Sequence, residues 1–128
     1  MSLSGLTRQS MRGVMTKEEL ISAGADYDGG LELCMNNEEF YFKMIRKGLA
    51  NERFDSLKKN LDDKNLDAAF EDAHALKGVA GNLHLTPLFK AVEEIVEPLR
   101  ARDSEADYQS MYSAIDSQLQ VFREIAKE

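Results

Sequence analysis

The chain has 128 residues, with 16 Lys and Arg against 23 Asp and Glu for a net charge of −7, and a single cysteine. That length suits one domain able to bury roughly two-thirds of its unfolded surface, one cysteine excludes an internal disulfide, and no apolar run approaches the roughly 20 residues of a membrane helix. The acidic balance excludes a generic nucleic-acid binder, which carries a basic face, and the first residues lack the roughly 7–15-residue apolar core of a secretory signal, so a single-domain cytoplasmic protein is expected.

Leu and Ala total 28 residues against 13 Val, Ile and Thr. That balance favours helix, because branching at Cβ costs side-chain freedom against the preceding turn. No alternating pattern bounded by hairpin turns is present, and the second half has few breakers: Pro87, Pro98 and no glycine after Gly81. Residues 1–15 contain no acid and no helical period, and they read as a disordered leader or upstream extension, with Met15 as an alternative start. The domain proper is expected over residues 16–128.

Thr16-Lys-Glu-Glu19 is a capping box that opens a short helix ending by Gly24. Gly29 and Gly30 mark a loop or turn before a brief apolar piece at Leu31, Leu33 and Met35. Asn37 caps a longer helix with Glu38 and Glu39 in its first turn. Its apolar stripe runs through Phe40, Tyr41, Met44, Ile45, Leu49, Leu57 and Leu61, with a bend or interruption expected at Gly48 or over Asn51–Phe54. A second long helix spans about Leu66 to Leu83. Thr86-Pro87 starts the next as cap and first helical residue, burying Leu88, Ala91, Val92, Ile95 and Leu99, with a kink or fraying at Pro98. Asp103-Ser104 precedes a last helix carrying Tyr108, Met111, Ile115, Leu119, Phe122 and Ala126. The expected fold is all-α, an antiparallel up-down four-helix bundle with a short additional N-terminal helix.

The helix over 66–83 carries the chemistry. On a wheel of about 100° per residue, Leu66, Ala69, Phe70, Ala73, Leu76, Ala80 and Leu83 form one inward stripe. His74 lies off that stripe, facing water, with Gly78 and Gly81 near its angle and Lys77 between it and the stripe edge. Each glycine inside a helix costs roughly 1 kcal/mol relative to Ala. Glycines needed for helix packing belong on the buried stripe; these two clear space beside an exposed imidazole. A lone surface histidine is ordinarily just solvated, but neutral imidazole is a competent nucleophile near pH 7. Phosphoryl transfer asks mainly for positioning and charge stabilisation.

The run His74-Ala-Leu-Lys77-Gly78-Val-Ala-Gly81-Asn82-Leu resembles the signature of histidine-containing phosphotransfer (HPt) domains, and the resemblance extends over about residues 16–126. It implies a stand-alone, bacterial-type phosphorelay carrier. His74 would be the phosphoacceptor, Lys77 the phosphate-stabilising cation, and Gly78 and Gly81 the room for a docking partner. It also implies partners: response-regulator receiver domains and a hybrid sensor histidine kinase. The carrier itself would be a monomer with no cofactor of its own, and Mg2+ would come from the receiver. Two positions depart from the family pattern. His84 stands where a small residue is usual, and Val96 where many members place a Gln or Glu that orients the imidazole; Glu93 is the nearest candidate for that role.

Other readings are weaker. Glu71-Asp-Ala-His74 has the spacing of a di-iron ligand pair, but no second copy exists, so no metal site is expected. No GxxxxGK[ST] or GxGxxG pattern is present, so no ATP site or autokinase activity is expected. Cys34 reads as a small buried hydrophobe. A helical adaptor that binds receivers without carrying phosphate is the alternative, and it would need neither His74 nor Lys77.

Overall fold

The computed structural model describes residues 14–127; residues 1–13 of the expected leader lie outside the described residues. The described residues form α-helices and no strand: α1 (Lys17–Ser22), α2 (Tyr27–Leu33), α3 (Glu38–Leu49), α4 (Arg53–Asp62), α5 (Leu66–Asn82), α6 (Thr86–Arg100) and α7 (Tyr108–Ala126).

The start signals act as anticipated in most places. At α1 both halves of the capping box form: Glu19 N–H donates to Thr16 Oγ1 at 3.1 Å and Thr16 N–H to Glu19 Oε1 at 3.2 Å. Asn37 caps α3 through Phe40 N–H, and Asn65, which had not been read as a start signal, caps α5 through Ala68 N–H. At α6 the register differs by one. Leu85 is the cap, without a side-chain bond, and Thr86 and Pro87 occupy the first two helical positions. Pro98 does not end α6, which continues to Arg100.

Three expectations need correction. Met15 is not leader: its side chain is 2% exposed and belongs to the core. It sits just before the cap, with the buried Leu20 at the fourth helical position, which are the two places of a hydrophobic staple. Gly29 and Gly30 are helical residues of α2, capped by Asp26. A side chain at Gly30 would collide with the Tyr41 ring, so this glycine is there for close approach rather than for a turn. Cys34 is half-buried at the end of α2.

Helix α4 packs on α5, α5 on α6 and α6 on α7, while α7 returns to α3 and α4. α3 and α4 are separated by residues 50–52, where an interruption was expected. Tyr41, Ile45, Leu57, Leu76, Ile95 and Phe122 are among the fully buried side chains at the centre. α1 and α2 lie beside the α5–α6 turn, where Asp26 N–H donates to His84 O at 2.9 Å and the Tyr41 hydroxyl donates to Leu83 O at 2.7 Å.

Candidate functional site

α5 presents small residues inward. Ala69, Ala73 and Ala80 are fully buried beside Leu76, so the neighbouring helices approach closely. One acid shares that buried side. Asp72 is 5% exposed, and its carboxylate accepts from Arg53 Nη1 at 3.0 Å, Ser56 Oγ at 2.7 Å and Asn60 Nδ2 at 2.9 Å. All three donors belong to α4. A buried carboxylate is tolerated only when satisfied in this way, and the network locks the rotation of α5 against α4.

Two residues on, about 200° around the helix, His74 is therefore turned outward. It is exposed, and Lys77, one turn later, is half-buried. Among the described residues neither side chain makes a hydrogen bond or ion pair. The contact His74 does make is aromatic: its ring centroid lies 5.6 Å from that of Phe70, with the planes tilted by 32°. A Cβ added at Gly78 would meet nothing within 4 Å, so the surface beside His74 is open. The arrangement offers a solvent-facing nucleophile, a cation one turn away and an unobstructed approach. Among the described residues, no three His, Cys, Asp or Glu side chains gather where they could hold a metal ion.

The family model for the Hpt domain matches residues 48–125, from the last turn of α3 almost to the end of α7. The chain belongs to the Hpt domain family. Comparisons with curated proteins and with solved structures give no significant match. Membership places the chain in histidine phosphotransfer within phosphorelays. No helix of the described residues is long and apolar enough to cross a membrane.

The remaining predicted positions of the Hpt domain fall out differently from His74 and Gly78. Gly81 was expected to clear surface for a partner. Instead its missing side chain makes room for α6, since a Cβ there would stand 3.3 Å from the Phe89 ring. Gly81 is thus a packing glycine at the edge of the stripe. Val96 is fully buried, and Glu93 is exposed and not hydrogen-bonded to His74, so the structure does not bring an orienting carboxylate to the imidazole.

His84 has a structural explanation. It is the left-handed residue (φ 58°) just past the end of α5, where His84 N–H donates to Gly81 O and Leu85 N–H to Ala80 O. This is a Schellman ending, a place that favours glycine. The imidazole of His84 lies 3.1 Å from Asp26 Oδ2 through Nδ1. That contact, after the Gly29 backbone N–H, holds the Asp26 carboxyl below its ordinary value.

The residues missed in sequence were Asp72 and Phe70. Asp72 was detectable as an acid falling on the inner side of the wheel, facing Arg53, Ser56 and Asn60 at spacings of three and seven. Phe70 was assigned to the core stripe, whereas it is half-buried at the stripe's edge beside His74.

Proposed function

We propose that this Hpt domain carries a phosphoryl group on His74, accepting it from the phosphorylated aspartate of a receiver domain and passing it to another. The observation that carries the reading is the exposed, unbonded imidazole of His74 beside the open surface at Gly78, within the stretch matched to the family. The lone pair of the outward ring nitrogen attacks phosphorus in line. A nitrogen–phosphorus bond forms as the acyl phosphate P–O bond breaks, the aspartate carboxylate leaves, and the imidazole returns to neutrality by losing a proton to solvent. The second receiver reverses these steps with its own carboxylate as nucleophile.

Lys77 offsets charge on the phosphoryl oxygens. Because His74 sits mid-helix, no helix terminus contributes, and Lys77 carries that role on this chain. Mg2+ belongs to the receiver's side of the complex. The partners are receiver domains and a hybrid sensor kinase, and the carrier works as a cytoplasmic monomer. The packing order of α3/α4, α5, α6 and α7 supports an antiparallel up-down bundle for the four-helix part.

The test is to mix the purified chain with a phosphorylated receiver and look for acid-labile, alkali-stable label. Transfer that is lost in His74→Gln is the expected result. Label persisting in that variant, or absent with every receiver of the source organism, would overturn the reading.

A further inference from the structure

We propose that Phe70 is a positioning residue for His74, holding the imidazole by ring contact where no hydrogen bond does so. The inference rests on the reading of His74 as phosphoacceptor. The two rings are one helical turn apart with centroids at 5.6 Å, and the His74 nitrogens have no partner among the described residues. An exposed imidazole on a helix otherwise samples more than one χ1 well. An aromatic neighbour at this distance favours the rotamer that keeps the rings in contact, so the outward nitrogen is presented in a narrower range of directions.

Phe70 is itself clamped. The guanidinium carbons of Arg100 and Arg102 lie 5.2 and 4.9 Å from its ring centroid, within cation–π range. Arg102 is pinned in turn: its Nε donates to Asp67 in the first turn of α5, and its Nη1 donates to Leu99 O at 2.7 Å. Arg100 Nε reaches Glu97 Oε2 at 3.4 Å. The start of α5 and the end of α6 thus converge on one ring, whose remaining aromatic contact is the imidazole. A phenylalanine serving only the core would be covered by apolar side chains. This one is half-buried: it packs against the core and also carries two guanidinium groups within cation–π range.

Wild type, Phe70→Leu and Phe70→Tyr are compared as full chains with phosphoramidate, a small donor that needs no docking. Its P–N bond breaks as the imidazole nitrogen bonds to phosphorus, and ammonia leaves after taking a proton from solvent. Phe70→Leu should be labelled about threefold to tenfold more slowly, the range that a lost aromatic pair corresponds to, and Phe70→Tyr should restore most of the rate. By proton NMR, the His74 ring resonances should show a ring-current shift in wild type and Phe70→Tyr that is absent in Phe70→Leu. Wild-type labelling rates in Phe70→Leu, or His74 resonances unmoved by loss of the ring, overturn the positioning role. A wild-type chain that takes no label while the ring-current shift is intact overturns the phosphoacceptor reading, and the positioning role with it. The shift separates that failure from a missing Phe70–His74 contact.

Discussion

Gly78 and Gly81 stand three residues apart, yet a Cβ meets open space at the first and the Phe89 ring at 3.3 Å at the second. The difference is measurable. Ala gains roughly 1 kcal/mol over Gly inside a helix, and at Gly78 nothing opposes it. Gly78→Ala should therefore raise Tm by about 3–6 °C for a domain of this size. Gly81→Ala should gain less or nothing, because Phe89 must shift to admit it; equal gains in thermal melts would refute this division of roles. Lys77 makes no bond that the fold depends on, so Lys77→Ala should leave Tm within about 2 °C while slowing transfer about tenfold, the scale of one lost charge contact. Stopped-flow or quenched transfer assays read that rate. The outward placement of His74 and Gly78 was legible in sequence because the helical wheel separates water from core, while the roles proposed for them and for Lys77 rest on the family resemblance. Gly81 and Phe70 were not: both sit at the stripe's edge, where the neighbouring helix decides, and Phe89 and Arg100 come from α6 and Arg102 from the turn just after it.

Helix beginnings were easier to foresee than helix ends. Thr16 and Asn37 are side chains with a standard capping chemistry and cap as expected, and Asn65, read only as part of a polar connection, caps by the same chemistry. The ends of α2, α4, α5 and α6 instead turn through Met35, Lys64, His84 and Arg102, all left-handed with φ between 54° and 58°. Without glycine these positions carry no sequence signal. Gly29 and Gly30 misled in the opposite sense: Gly30 is crowded by Tyr41, eleven residues on, and Gly29 by its own cap Asp26 and by the distant His84. Between elements, the Asp72 network sets the rotation of α5. Asp72→Ala leaves the Ser56 hydroxyl without its acceptor, Asn60 with only Ser56 Oγ, and the half-exposed Arg53 unpaired, so a loss of about 2 kcal/mol is expected from denaturant unfolding. A loss under about 0.5 kcal/mol would show that α5 is oriented by its apolar stripe alone.

At the scale of the molecule, much of the core was readable, since Ile45, Leu57, Leu76, Ile95 and Phe122 follow helical periodicity and are fully buried, whereas Tyr27, Phe54 and Leu85 are buried off the expected stripes and Phe40, expected on one, is exposed. Charge was less informative. Residues 41–60 carry an excess of four positive charges, but Arg53, Lys58 and Lys59 are paired with Asp72, Asp62 and Asp63, and Arg46 donates to Ala126 O. Much of that basic stretch therefore serves the bundle itself.

Two tyrosines make the assembly of α2 and α3 sensitive to alkali. Burial pushes the Tyr27 phenol up to about 12, helped by Glu38, which accepts its hydrogen bond, and burial also raises Tyr41. In the unfolded chain these phenols ionise near their ordinary value of 10.0. A raised folded value means their contribution is intact below pH 10.0 and is lost as pH rises toward 12 and beyond. Tm should fall across that window, and Tyr27→Phe should flatten the fall; a Tm independent of pH there would contradict the burial of these phenols.

The chain has only two histidines, His74 and His84, and they occupy opposite situations, one exposed in mid-helix and the other beside Asp26 at the end of α5. The most direct measurement is therefore transfer from a phosphorylated receiver to His74→Gln and His84→Gln side by side, with the label located by mass spectrometry under alkaline conditions. The account predicts label on the peptide containing His74 in wild type and His84→Gln, and none in His74→Gln. Label that survives in His74→Gln and disappears in His84→Gln would contradict it.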